Sequence, residues 1–252
     1  MTIIVGIICK NGIVVACDSQ TTTENVKRPD ADKITALKLA DKSILVAQSG
    51  DCALAAKAVE VLGKDFTGIS FEDYRQPADA AQQAVAQVKR ELVQLNNWED
   101  RRDLETAYLS SNPFSLMLAY YFDKIPYLYV LASVPGFASR EYKFAAIGCG
   151  ATVGEFILSR SGAWELTPEK ALAVAIYTVE EVKKVDAFCG GPTKAAFIGP
   201  NKLLISGNES TPIIKSAVKA LEEYEPELRQ NWEELIEKMT AKIAHVYKRE
   251  KK

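Results

Sequence analysis

Residues 2–18 read TIIVGIICKNGIVVACD. Two short runs rich in β-branched residues, 2–9 and 13–17, flank Lys10-Asn11-Gly12. An Asn-Gly pair between such runs is a strong hairpin signal. Neither run alternates apolar with polar, so the sheet they build is covered on both faces. Thr2 opens the first strand directly behind the initiator methionine, and Asp18 closes the second.

Outward from the hairpin, a polar stretch covers 19–32. Strand candidates follow at 34–38 and 43–47, split by a turn at Asp41-Lys42. Helical spacing of apolar residues then appears over 51–66, at Leu54, Ala58, Val59 and Leu62, and over 78–95, at Ala81, Ala84, Val85, Val88 and Leu92. Residues 96–111 are polar and read as a loop. Strands return at 115–122, 127–132 and 143–147, with a turn across 123–126. A short helix starts after Gly150. Thr167-Pro168-Glu169-Lys170 starts another, running to about Lys184, with Thr as cap and Pro in the first turn.

Residues 195–198 and 202–205 form a last hairpin, and the chain is helical from Pro212. Pro226 begins a second segment there. In it Trp232, Ile236, Met239, Ile243 and Val246 form a coiled-coil-like seam. Strands, helices and strands again predict an α+β fold with packed sheets and outer helices, not a doubly wound one. The chain reads as one domain over 2–206 with a helical extension over 212–252.

The chain has 252 residues, 48% hydrophobic and 25% charged, an ordinary globular composition. A net charge of −2 gives no electrostatic footprint for nucleic acid or an anionic membrane. No apolar run approaches the ~20 residues that span a bilayer. The apolar start lacks a basic flank and a cleavage site, so it is not a signal peptide. Five cysteines without a CxxC motif argue for reduced thiols and a cytoplasmic setting. The single histidine, His245, lies in a charged C-terminal stretch. Ser/His/Asp and Cys/His mechanisms therefore have no base, and a Cys/His zinc cluster has no histidine.

A threonine behind a removable methionine supplies its own base. Its free α-amine has an ordinary pKa of about 7.7–8.0 and can take the proton of its own hydroxyl. By itself this is weak, since Met-Thr is a common start.

The opening segment resembles that of proteasome β subunits and of HslV-type peptidases. These carry an N-terminal Thr, an Asp ending the second strand and a Lys beyond it, matched here by Thr2, Asp18 and Lys33. The resemblance implies that Lys33 lowers the pKa of the Thr2 amine by like-charge repulsion and that Asp18 holds Lys33 in place. AAIGCGATVGEFIL, 145–158, resembles the family's Gly-Ser-Gly segment, with Cys149 at the serine. VDAFCGG, 185–191, resembles its Asp-x-x-Ser-Gly loop, with Asp186 at the aspartate and Cys189 at the serine. In the family these groups surround the amine and relay protons. Aligned without gaps on Asp51, Ala47 takes the oxyanion glycine's place and Leu45 lines the specificity pocket.

The resemblance implies a four-layer αββα sandwich and hydrolysis of peptide bonds by an N-terminal threonine. It implies no cofactor and no metal. It implies a peptide or unfolded-protein substrate, a homo-oligomeric ring and room for an ATP-dependent unfoldase partner, with no nucleic acid and no membrane. Two alternatives stay open. The thiols at 149 and 189 are weaker donors than serine hydroxyls and suit a catalytically inactive assembly subunit. The same threonine chemistry also serves an amidase or transpeptidase.

Gly148, Gly150 and Gly154 have GxGxxxG spacing outside a βαβ unit, which does not suit a dinucleotide. Asp79, Glu99, Asp100, Asp103 and Glu105 read as solvated charges.

Overall fold

The computed structural model describes residues 2–23, 26–39, 42–66, 70–96, 113–134, 136–162, 165–200, 202–206 and 212–250. Asp41 of the expected Asp41-Lys42 turn and most of the 96–111 loop, with Glu99, Asp100, Asp103 and Glu105, lie outside the described residues.

The opening hairpin forms as the sequence predicts. Strand β1, Ile4–Cys9, pairs antiparallel with β2, Gly12–Cys17, with Cys9 opposite Gly12. Asn11 turns the corner at φ 64°, a left-handed conformation that Asn tolerates.

The polar stretch after β2 is less irregular than its composition suggests, because β3, Thr21–Thr23, pairs with β4, Val26–Arg28. Strand β5, Ile34–Lys38, leads to β6, Ser43–Gly50, which outlasts its apolar run by three residues. Helices α1, Cys52–Phe66, and α2, Gln76–Leu95, follow. Next come β7, Phe114–Phe122, and β8, Ile125–Ala132, joined by a turn at Asp123-Lys124. A strand the sequence did not betray, β9, Ala138–Glu141, precedes β10, Phe144–Ile147.

Helix α3 spans Ala151–Arg160 and α4 spans Pro168–Val185. The α4 start is the predicted one: the Thr167 side chain accepts from the Lys170 N–H, and Pro168 stands in the first turn. Strands β11, Lys194–Gly199, and β12, Lys202–Ser206, close the sheets.

One sheet has the order β10-β1-β2-β11-β12 and the other β5-β6-β7-β8-β9. Ile4, Ile13, Val15 and Cys17 on the inner face of the first meet Leu45, Met117 and Leu128 of the second. The residues between them along β1, Ile3, Val5 and Ile7, point the other way, onto Leu158 of α3 and Ile176 and Val179 of α4. Val46, Leu116 and Leu118 on the outer face of the second sheet pack on Ala58, Leu62 and Val85 of α1 and α2. The four layers are α, β, β, α, the predicted sandwich. Each fully buried Val, Leu or Ile contributes about 1.5–3 kcal/mol, so burial on both faces is the main anchor of the opening hairpin.

The last helix, α5, runs unbroken over Pro212–Glu250 with Pro226 inside it, where the sequence suggested a new segment. Proline removes one backbone bond to the preceding turn, and the helix continues past that loss. Its first turns belong to the sandwich: Ile214 is buried, and Ala217, Val218 and Leu221 pack on the same core as α4. Lys184 pairs with Glu225 at 3.3 Å. Of the expected seam, Ile236 and Met239 are exposed in the isolated chain. The side chains of Trp232, Ile243 and Val246 lie outside the described set.

Candidate active site

The end of β2 and the start of β5 bring three predicted residues together around the start of β1. Thr2, Asp18 and Lys33 are all buried. The Thr2 hydroxyl donates to Asp18 Oδ1 at 2.9 Å, and the Lys33 ammonium donates to Thr2 Oγ1. Lys33 Nζ also reaches Asp18 Oδ1 at 2.7 Å and the Gln20 carbonyl at 2.6 Å. Asp18 further accepts from the Ile3 N–H on Oδ1 and the Gly190 N–H on Oδ2, each at 3.0 Å. Such charge-assisted bonds are about twice as strong as neutral ones. They also meet the requirement that a buried charge be paired and fully hydrogen-bonded.

On the other flank of Thr2, the β10–α3 turn supplies Gly148 and Cys149. Gly148 adopts φ +101°, where an L side chain is strained, and a Cβ there would run into the Thr2 carbonyl. Glycine thus lets the turn close on the threonine. The Thr2 N–H donates to Cys149 Sγ at 3.2 Å, and the Gly150 N–H donates to the Thr2 carbonyl at 3.3 Å. Cys149 Sγ lies 3.7 Å from Cys189 Sγ. Cys189 sits in the 186–191 loop, which is latched to the end of β2: Ser19 and Gln20 N–H groups donate to the Gly190 carbonyl at 3.2 and 2.9 Å. Asp186 heads this loop, and its Oδ1 accepts from the Phe188 N–H at 2.9 Å. The structure therefore gathers Thr2, Asp18, Lys33, Cys149, Asp186 and Cys189 at one place.

A proteasome subunit family model matches residues 2–198. The chain belongs to the proteasome subunit family. Solved Anbu proteins from Hyphomicrobium sp. strain MC1 and Yersinia bercovieri have similar folds. A Gly-1 mutant of the former has a TM-score of 0.71 at 13% identity, covering 92% of this chain and 97% of that one. The latter, titled an ancestral beta-subunit, has a TM-score of 0.70 at 15% identity, covering 90% and 96%. No curated protein sequence matches the chain significantly.

Two residues expected in this proteasome-type site are elsewhere. Leu45 and Ala47 are buried between the two sheets, against Met117 and Ala119. The Gln48 N–H donates to the Lys33 carbonyl on the β5 side at 2.9 Å. Successive residues of an antiparallel strand address opposite neighbours, so the Ala47 N–H points to β7, away from Thr2. Two residues on from Gln48, the Gly50 N–H points back to the β5 side, beyond the end of that strand. Gly50, at φ +93°, lines the cleft over Thr2 together with Ser49, Thr22, Ser115 and Cys149. The ungapped alignment failed because it ended β6 at its last apolar residue. The Ser49-Gly50 pair, just ahead of the α1 cap Asp51, was the available signal.

The cleft has a volume of about 460 Å³. Two buried side-chain oxygens near Thr2, Thr22 Oγ1 in this cleft and Gln48 Oε1 in the adjoining recess, have no partner among the described residues. The Cys149 thiol is held below the ordinary thiol range, chiefly by its hydrogen bond with Cys189, while that same bond and burial push Cys189 up. Gly148, Gly50, the Gln20 carbonyl and the Gly190 N–H are site groups that sequence reasoning missed. All of them act through the backbone, which side-chain motifs do not report.

All five cysteines are free. No helix among the described residues is long and apolar enough to cross a membrane.

Proposed function

We propose that this chain is a threonine-type hydrolase of peptide bonds whose nucleophile is Thr2 Oγ1, freed for catalysis by removal of Met1. The observation that carries the reading is the Thr2 hydroxyl seated between the Lys33 ammonium and the Asp18 carboxylate, at the floor of an open cleft. Loss of Met1 turns the Thr2 nitrogen into an amine on the same residue as the hydroxyl, and this amine takes the Oγ1 proton. Lys33 stabilises the charge that develops on Oγ1. Asp18, with four donors committed to it, anchors Lys33 and the start of β1.

The hydroxyl oxygen attacks the substrate carbonyl, and the Gly50 N–H supplies the oxyanion donor. The amine returns its proton to the leaving nitrogen, and water then releases the acyl group by the reverse path. Cys149, Asp186 and Cys189 position the amine and that water.

Family membership supports a ring-like homo-oligomer that encloses the cleft, and the exposed Ile236 and Met239 support docking of the distal α5 on a neighbour. Truncation before Pro226 then lowers the particle mass in light scattering. Unchanged mass would assign that segment to its own subunit.

A peptide epoxyketone requires both the hydroxyl and the amine of an N-terminal threonine. Intact mass of the active form should lack Met1, and the epoxyketone should add to Thr2 but not to Thr2→Ala. Turnover by a form that retains Met1 would sink the mechanism. The cysteines beside the amine favour a second reading, a silent assembly subunit, since thiols are weak donors in a proton relay. Failure of the Met1-free protein to react with the epoxyketone would favour that reading.

A further inference from the structure

In the proposed hydrolysis the groups beside the Thr2 amine only position that amine and a water, a task that does not call for two thiols. Among the described residues, Cys149, Asp186 and Cys189 bring their Sγ, carboxylate oxygen and Sγ atoms within 4.8 Å of one another. The two sulfurs are 3.7 Å apart. A disulfide would need about 2.0 Å, whereas two thiolates on a tetrahedral zinc ion, each about 2.3 Å from it, stand about 3.8 Å apart. The sulfurs are therefore already spaced for a shared metal; two free thiols in contact also stand this far apart, so oxidation to a disulfide is the competing outcome.

The Thr2 nitrogen lies 3.2 Å from Cys149 Sγ, on the same cluster. Two sulfurs, one carboxylate oxygen and one amine nitrogen make a four-ligand set of the kind zinc prefers.

We propose that Cys149, Cys189 and Asp186 bind a thiophilic divalent cation, Zn2+, with the Thr2 amine as fourth ligand, and that this metal silences the site. Binding displaces one proton from each thiol to the solvent, leaving two thiolates and a carboxylate around the cation. Cys149 is open to the cleft, so the ion has an entry path. The ligands are held by backbone: the Phe188 N–H fixes Asp186 Oδ1, and the Cys189 N–H donates to the Asp186 carbonyl at 3.0 Å. Such outer contacts orient a ligand set before the metal arrives. Coordination uses the lone pair of the amine, which then cannot accept the Oγ1 proton. The inhibitory half of the proposal rests on Thr2 being the nucleophile; the binding half does not.

The test uses the full-length, Met1-free protein, reduced and stripped with chelator, then titrated with Co2+. A thiolate-to-cobalt charge-transfer band should appear, saturate at one equivalent and bleach on addition of Zn2+. Cys149→Ser and Cys189→Ser should each abolish it, and Asp186→Asn should weaken binding at least tenfold. Cys52→Ser, which removes an exposed thiol that is not one of the proposed ligands, should leave the band intact. Zn2+ should raise the melting temperature of the wild type but not of Cys149→Ser.

Absence of the band, or its survival in Cys189→Ser, overturns the metal site. So does a protein that takes up no cobalt but oxidises to a Cys149–Cys189 disulfide. If peptide hydrolysis is found, Zn2+ should block it and chelator should restore it; a bound metal that leaves the rate unchanged overturns the amine as ligand. A cobalt band in a protein that hydrolyses nothing supports the metal site while removing the proposed function. Hydrolysis without a cobalt band does the reverse.

Discussion

On one flank of Thr2 stands a buried ammonium–carboxylate pair, and on the other a pair of thiols, Cys149 open to the cleft and Cys189 buried behind it. Asp18 accepts from Lys33, the Thr2 hydroxyl and two backbone N–H groups at 2.7–3.0 Å, and Lys33 also donates to the Gln20 carbonyl at 2.6 Å. Cys149 and Cys189 meet the Thr2 nitrogen and each other at 3.2 and 3.7 Å. The first flank is fixed by charge in a dry setting, where no partner can be removed cheaply. The second is held by soft, weak contacts that tolerate replacement and respond to pH, oxidants or metals. On the proposed mechanism, one residue then has its nucleophile oxygen in the rigid half of the site and its base nitrogen in the tunable half.

The largest effects should come from the rigid flank. Lys33→Ala leaves Asp18 as an uncompensated buried charge, which costs about 3–5 kcal/mol of stability. It also removes the stabiliser of the Oγ1 charge, lowering kcat by about 10²–10⁴-fold. Asp18→Asn should behave similarly. The double variant Lys33→Met/Asp18→Leu separates the two roles, because an apolar pair in place of a buried ion pair recovers much of the stability. Activity should stay lost. Urea midpoints and kcat, measured together, decide the matter; near wild-type kcat in Lys33→Ala would make the pair purely structural.

Next comes the strand end that faces both flanks. Gly50→Ala adds a Cβ at φ +93°, against the Pro113 carbonyl and the Phe114 Cα. Displacing an oxyanion donor lowers kcat by about 10²–10³-fold. Ala47→Gly, by contrast, should cost about 0.5–1 kcal/mol of stability and little kcat, because its N–H points into the β7 ladder. Equal kcat losses in both variants would return the donor to Ala47.

These variants also mark where sequence reading succeeded and stopped. Thr2, Asp18 and Lys33 were legible as a set through the resemblance to the family's opening segment; the fold then joins them because the hairpin register puts the ends of β1 and β2 side by side and Lys33 directly precedes β5. The two-sided burial was legible because β1 and β2 carry no polar alternation. Gly50 was missed because β6 runs past its hydrophobic pattern, held there by pairing with β7 from Ser49 opposite Ser115 to Gly50 opposite Phe114. The β3–β4 ribbon and β9 were missed for the same reason: short polar strands carry little signal of their own, and only their partners define them. The helix α5 was legible in extent, but one proline was given more weight than it has.

Cys17 provides the thiol for comparison with the tunable flank. Fully buried on β2, its pKa is raised from 9.0 to about 12 by desolvation. Its folded value lies above its unfolded one, so the protonated thiol stabilises the fold fully below about pH 9. That contribution fades as pH climbs towards 12, because the unfolded chain loses its proton first. The slope from this one group is about 1.4 kcal/mol per pH unit at most. Cys17→Ala should flatten the fall in urea-unfolding free energy over this window relative to wild type. Parallel curves for the two proteins would mean that Cys17 is not shielded as described.

The smallest effect should come from Cys149→Ser, and its sign is the informative part. The Cys149 thiol is held below the ordinary range by Cys189, so as pH rises it becomes the first thiolate of the pair. An anion beside the Thr2 nitrogen favours the ammonium form of the amine, which is not a base. Serine at this position carries no charge and donates a stronger hydrogen bond than a thiol. The acid limb of the kcat/KM profile should therefore move to lower pH in Cys149→Ser, with a higher rate near pH 7. The shift is bounded by the openness of the site: a solvent-exposed ion pair contributes about 1 kcal/mol or less, which limits the gain to about fivefold. Lys33→Ala should move the limb the opposite way, to higher pH, because losing its like charge raises the pKa of the amine, while its main loss falls on kcat through the hydroxyl. A fall in activity for Cys149→Ser, with the limb unmoved, would mean that the thiols take part in proton transfer themselves, and the contrast between a rigid and a tunable flank would fail.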